Sequence, residues 1–180
     1  MSAAVALVHH PVLGRHGDML TTTITNLDLH DLARCVKSYG LEALYIVHPL
    51  ESQCELAQRI LRHWVDGPGR KRIPDRGEAL ELVRIVPTLA QARKDLGEPV
   101  ELWTTAARSI GEVTKYSDAC QRLSSDRNVL IAFGTGWGLP ESILSEADVR
   151  LEPINARVDT GYNHLSVRAA CAITLDRLYG

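Results

Sequence analysis

Val129-Leu130-Ile131-Ala132-Phe133-Gly134-Thr135-Gly136-Trp137-Gly138-Leu139-Pro140 is the stretch on which the fold reading turns. Five apolar residues rich in β-formers, Val129 to Phe133, predict a buried strand. They run into three glycines spaced two apart, so the strand delivers a flexible loop to one edge of a sheet. Glycine at alternate positions admits positive φ and removes the Cβ atoms that hold a ligand off. Backbone N–H and C=O groups can then read a flat polar molecule such as a nucleobase. A tight strand-to-helix turn that binds nothing has the same pattern, and the triplet alone leaves both readings open.

Working outward, apolar runs of strand length occur at Ala3 to Val8, Ala43 to Val47, Leu82 to Val86, Val100 to Thr104 and Val149 to Leu151. Helical patterns lie between them. Asn26 is a cap for a helix running to Tyr39, with Leu29, Leu32, Ala33 and Val36 on its core face and Gly40 as its stop. A second helix from about Ser52 to Val65 is predicted to bury Leu56, Ile60, Leu61 and Trp64. Thr88 caps a short helix ending at Gly97, a weak one lies near Ser117 to Leu123, and Pro140 starts another that ends at Leu144. The segment from Leu13 to Thr25 reads as a long loop or edge hairpin, and a flexible stretch after Ile154 reaches Gly161. The last helix, from about Asn163 to Leu178, is apolar around most of its circumference, so it belongs in the core or against a second subunit. Strands alternating with helices predict an α/β fold, a mostly parallel sheet flanked by helices.

The chain has 180 residues, 45% of them hydrophobic, which fits a single domain over 1–180. A net charge of −2 excludes a global basic excess, so any nucleic-acid surface must be a local patch. The segment from Asp66 to Arg76 is such a patch, a proline and glycine loop with four basic residues against two acidic ones. With helix residues Arg59 and Arg62 added, Arg70, Lys71, Arg72 and Arg76 are candidate phosphate contacts; a solvated loop with incidental charge is the other reading. No run approaches membrane length, which predicts a soluble, cytoplasmic protein. Cys35, Cys54, Cys120 and Cys171 lie far apart without a C-x-x-C pair and read as reduced core residues, and no Cys/His spacing suggests a metal. The glycine spacing is G-x-G-x-G on a late strand, unlike the Rossmann fingerprint, and no G-K-[ST] follows as in a P-loop.

Asn26, His30 and Arg34 recur at i, i+4 and i+8 and share one face of their helix. Three stretches, Thr25 to Arg34, Phe133 to Leu139, and Leu151 to Ile154 with Tyr162 to Ala170, occur in that order on an α/β chain of this length. Together they resemble the three motifs of SPOUT-class RNA methyltransferases, and the closest branch is the bacterial one found alone or fused to a tRNA guanine methyltransferase. The resemblance implies a C-terminal trefoil knot, an obligate homodimer and S-adenosylmethionine (SAM) as methyl donor. It places the cofactor's adenine against Phe133, Gly134, Thr135, Gly136, Trp137, Gly138, Leu139 and Ile154. Thr104, Thr105 and Ala106 with Leu165, Ser166 and Val167 close the pocket.

The related ribose methyltransferases carry an asparagine and an arginine in the first motif, which fall on Asn26 and Arg34. A guanidinium is a poor base, so the resemblance assigns Arg34 to positioning of nucleophile and phosphate, with proton transfer assisted by a phosphate or by His30. Asn163 and His164 stand at the third-motif asparagine, and Thr135 stands where those enzymes carry glutamate. The expected acceptor is RNA, tRNA first, at a ribose 2′-hydroxyl. A base nitrogen and a non-catalytic SAM- or RNA-binding partner subunit are the alternatives.

Overall fold

A computed structural model describes residues 2–123, 127–158 and 160–180. Asp159, within the stretch read as flexible, lies outside the described residues. Strand β1 (Ala3–Val8) has no polar side chain and is hydrogen-bonded on both sides, parallel to β4 (Ala43–Val47) and to β7 (Asn128–Gly134). Beyond β4 lies β5 (Val83–Val86), and beyond β7 lie β6 (Val100–Thr104) and β8 (Val149–Arg150), all parallel. Among the described residues the sheet order is β5-β4-β1-β7-β6-β8. From β1 the chain builds outward in one direction, then returns to build the other half. The order therefore reverses between β1 and β7, and a crevice opens outside their carboxyl ends. Val8 and Gly134 are register partners there, so the glycine loop leaves the sheet at the switch point.

Side chains alternate between two layers. Val5, Leu7, Trp103, Ile131 and Phe133 face α1 (Asn26–Ser38) and the C-terminal α8 (Val167–Tyr179). Ala4, Ala6, Val8, Leu102, Leu130 and Ala132 face α5 (Leu89–Leu96) and α7 (Glu141–Leu144). A small antiparallel hairpin of β2 (Val12–Leu13) and β3 (Met19–Leu20) projects from the end of β1. No helix among the described residues is long and apolar enough to cross a membrane.

Several sequence expectations are corrected. The cap of α1 is Thr25, whose hydroxyl accepts from Asp28 N, and Asn26 is the first helical residue. Helix α2 (Glu51–Val65) leaves Leu56 exposed and Ile60, Leu61 and Trp64 only half-buried; Ala57 is its fully buried residue. The presumed loop after it folds as α3 (Pro68–Arg72) and α4 (Pro74–Leu80), because a proline at the first position of each helix forfeits an N–H that would have no partner there anyway. The last helix begins at Val167 rather than Asn163, capped by Ser166 accepting from Ala169 N. Leu151 leaves β8 and forms an isolated bridge to Thr114.

Candidate functional site

Three loops meet outside the switch point. The first is the glycine loop, pinned to the β1 end and the hairpin: Thr135 N donates to Val8 O (3.1 Å), Trp137 N to Leu13 O (2.9 Å), and Leu13 N to Gly138 O (2.9 Å). Gly136 has φ +59°, a conformation side chains rarely adopt, and Gly134 is packed so closely that an added Cβ would lie 2.7 Å from Leu139 N. The second loop follows β6 and includes Thr105 to Ile110. The third runs from Glu152 to Ser166 and is tied to the second where Asn163 Nδ2 donates to Ala107 O at 2.8 Å.

Together these loops enclose a cavity of about 670 Å³, within the range of a nucleoside-sized ligand. Thr105, Ala106, every residue from Phe133 to Leu139, Ile154, Leu165, Ser166 and Val167 line it. Thr104 does not; it is buried one residue beneath, with a hydroxyl that has no partner. Asn163 and His164 also line the cavity, with the His164 ring against Trp137.

The other three candidates on α1 lie elsewhere. Asn26 and Arg34 are exposed and outside the cavity wall. His30 is buried edge-on against Trp64 (5.2 Å), with neither ring nitrogen hydrogen-bonded. Burial and the nearby Arg76 charge hold its pKa below the usual imidazole value, so it is neutral at pH 7. Asp31 pairs with Arg168 (3.4 Å) rather than Arg34. The basic candidates gather beside this face. Arg59 and Arg62 are exposed on α2, and Lys71 and Arg72 on α3. Arg70 is engaged by Glu81, and Arg76 lies over the Trp64 ring at 4.9 Å.

The opposite side of the α1 start supplies groups the sequence reading did not single out. Asp28 lines the cavity although it is buried; Thr25 Oγ1 donates to one oxygen (2.6 Å) and Arg168 Nη1 to the other (3.0 Å). A charged residue four before Leu32 and eight before Val36 shares their core face, and that was the available signal. Thr22 bridges to Thr135, whose hydroxyl donates to Val8 O (3.1 Å). Proton counting then assigns the Thr22 hydrogen to Thr135 and makes His9 Nδ1 the donor to Thr22 (2.9 Å). His9 is buried, its Nε2 has no partner, and burial followed by the His48 charge pushes its pKa down to about 4. It is a neutral peg that fixes the glycine loop.

The lining fits a flat ligand with a purine-like face. Apolar Phe133, Leu139, Ile154 and Val167 suit a purine face, and the charged lining residues are the carboxylates of Asp28 and Glu152 against the single guanidinium of Arg108. Asp28 is already paired with Arg168, so Glu152 and Arg108 balance each other and the lining suits a ligand that carries both signs of charge, as SAM does.

Comparison with known proteins agrees. The family model described as SAM-dependent RNA methyltransferase matches residues 2–180. A protein of Oleidesulfovibrio alaskensis named tRNA (guanine-N(1)-)-methyltransferase is 42% identical over 179 residues, covering 97% of this chain but 41% of that relative. This chain thus spans about two fifths of that relative's length. An uncharacterized Aquifex aeolicus protein is 39% identical over 180 residues, covering 97% of this chain and 87% of that one. The solved A. aeolicus TrmH/SpoU tRNA modifying enzyme superposes with a TM-score of 0.61 at 12% identity, over 99% of this chain and 74% of that one, a likeness of fold. The sheet, the switch-point cavity and these matches together establish that the chain belongs to the SAM-dependent RNA methyltransferase family, with a SPOUT fold.

Proposed function

We propose that this chain transfers the methyl group of SAM to a ribose 2′-hydroxyl of tRNA in the cytoplasm, as a homodimer whose C-terminal segment is knotted. The observation that carries the reading is that residues of all three motif stretches, Thr25 and Asp28, Phe133 to Leu139, and Ile154 with Asn163 to Val167, line a single cavity. What supports the knot is that the segment after β8 stays bonded to the segment after β6, through the Thr114 to Leu151 bridge, Tyr116 N donating to Glu152, and the Asn163 to Ala107 hydrogen bond. Support for the dimer is the outer face of α8, where Ala169, Ala172 and Ile173 fall at i, i+3 and i+4 and pack against neither core layer.

Bound SAM supplies a methyl group on a sulfonium, a strong leaving group that needs little from the protein beyond in-line orientation. The glycine loop and residues 165–167 would hold the adenosine, and Asp28, fixed by Thr25 and Arg168, would add a carboxylate to the wall of the same cavity. The acceptor's proton goes to a phosphate or to His30, which is neutral but has both ring nitrogens buried beside Trp64, so His30 serves only if its ring swings out when RNA binds. Arg34 holds the phosphate beside the acceptor, while Arg59, Arg62, Arg70, Lys71, Arg72 and Arg76 carry the flanking backbone. Asn26, His30 and Arg34 lie off the cavity of their own chain, so on this reading they serve the cavity of the partner subunit.

The name of the O. alaskensis relative favours a second reading, transfer to a guanine nitrogen. The test is transfer from labelled SAM to unmodified tRNA transcripts, followed by alkaline hydrolysis of the product. A 2′-O-methyl blocks cleavage of its own linkage, so label in dinucleotides is the expected result. Label in mononucleotides overturns the ribose assignment in favour of the base, and no transfer with saturable SAM binding overturns tRNA as substrate.

A further inference from the structure

Three rings stand together, two of them, Trp137 and His164, in the cavity lining and the third, Tyr162, against His164. Trp137 and Tyr162 are 49% and 72% exposed, and the exposed His164 lies between them at 5.6 and 5.5 Å. The interplanar angles are 75° and 57°, so neither contact covers a pair of ring faces. Water-exposed indole and phenol rings on adjacent loops are not explained by packing, since neither ring belongs to a core layer. Their backbones are held differently, Trp137 to the hairpin and Tyr162 only within its own turn. Trp137 N is bonded to Leu13 O, and Thr160 Oγ1 both accepts from Tyr162 N and donates to Tyr162 O. The glycine loop's bond to the hairpin therefore holds the Trp137 backbone in place while its ring stays in solvent.

Trp137 and His164 also share the cavity lining with a cation, the exposed Arg108, and Tyr162 extends the ring group outward from His164. Exposed aromatic faces beside a guanidinium match the chemistry of an unpaired nucleotide, whose base stacks while its phosphate meets the charge. We infer that Trp137, His164 and Tyr162 form a stacking platform for an unpaired RNA base that enters with the acceptor nucleotide. This rests on the methyltransferase reading above and adds to it a class of substrate, an unstacked nucleotide in a loop or single-stranded segment rather than a base-paired one. Stacking reads a π-face rather than base edges, so the platform tolerates all four bases.

The probes are single-stranded pentauridylate and pentaadenylate, titrated against the purified protein while tryptophan emission is followed. Of the three tryptophans, Trp103 is fully buried and Trp64 half-buried against His30, so Trp137→Phe isolates the platform signal. Saturable quenching by both pentamers that Trp137→Phe abolishes is expected. Tyr162→Ala should weaken binding at least about fivefold, while Tyr162→Phe stays within about twofold of the parent. Calorimetric titration with SAM should give the same affinity in Tyr162→Ala as in the parent. Quenching that survives Trp137→Phe, or unchanged pentamer affinity in Tyr162→Ala, overturns the platform. So does sedimentation showing that Tyr162→Ala separates a dimer, because the rings then belong to a contact with a second copy of the chain. Ring-dependent quenching without methyl transfer to tRNA counts against the tRNA reading and not the platform, whereas transfer that ignores both rings counts against the platform alone.

Discussion

Gly134 shows how a single missing methyl group shapes the site. A Cβ there would sit 2.7 Å from Leu139 N and 2.8 Å from Gly138 C, and both are backbone atoms that cannot swing aside. Gly134→Ala must therefore open the loop, and the expected outcome is a SAM affinity at least about tenfold weaker with a stability loss of about 1–3 kcal/mol. Calorimetry and thermal melting on the same sample check both; unchanged affinity would mean that the loop does not hold the cofactor. His9 makes a pH prediction at the same scale. Its folded pKa of about 4 lies below the unfolded value near 6.5, so between those values the unfolded chain binds more protons. Its contribution is complete above pH 6.5 and is lost as pH falls through 4. His30 and His48 are shifted in the same direction by burial, so melting temperatures should fall steadily from pH 7 to pH 4.5. In His9→Asn, less stable at pH 7 because it loses the imidazole packing, the slope should be shallower; an identical slope in the two proteins would show that His9 does not titrate in this window.

Two elements, α1 and α8, share one wall of the cavity, and a clamp joins them. Arg168 on α8 reaches Asp28 at 3.0 Å and Asp31 at 3.4 Å on α1, and Asp28 is the buried member. Arg168→Met keeps the aliphatic stem but leaves the Asp28 carboxylate buried with only Thr25, at an expected cost of about 2–4 kcal/mol. The double variant with Asp28→Asn should recover part of that loss, as measured by urea unfolding, and full additivity would show that the pair is uncoupled. The same elements mark what the sequence made legible. Strands β1, β4, β6 and β7 were readable because their apolar runs are buried on both faces, and the glycine loop because spacing alone encodes close approach. Asp28 escaped because the apolar periodicity of Leu29, Leu32, Ala33 and Val36 draws attention from the one charge in phase with it. The helices α3 and α4 escaped because Pro68, Gly69 and Pro74 read as breakers, although proline at a helix start is a nucleating residue. Periodicity placed Asn26, His30 and Arg34 on one face but could not say that this face turns toward Trp64 and Arg76 rather than the cavity.

That separation sets a test for the molecule as a whole. If α1 of each subunit completes the cavity of the other, a variant defective in the cofactor loop and one defective in α1 should complement each other. The outer stripe of α8 gives the means of controlling assembly, since Ile173 is half-buried, belongs to neither core layer and lies four residues from Ala169. Ile173→Asp places a charge on that stripe without touching Cys171, Thr174 or Leu175, which face inward. The parent should sediment at twice 19.9 kDa and Ile173→Asp at 19.9 kDa, with SAM binding retained and methyl transfer lost. Gly136→Val and Arg34→Ala should each be inactive as homodimers. Mixed in equal amounts after subunit exchange, half the dimers carry one defect on each chain, and in each of these one of the two sites has an intact loop and an intact arginine. Activity should then return to about a quarter of the parent's. No recovery in a mixture shown to have exchanged subunits would mean that Arg34 works within its own chain and must reach the cavity by a rearrangement of α1. Recovery that Ile173→Asp abolishes ties both the composite site and the α8 contact to one interface.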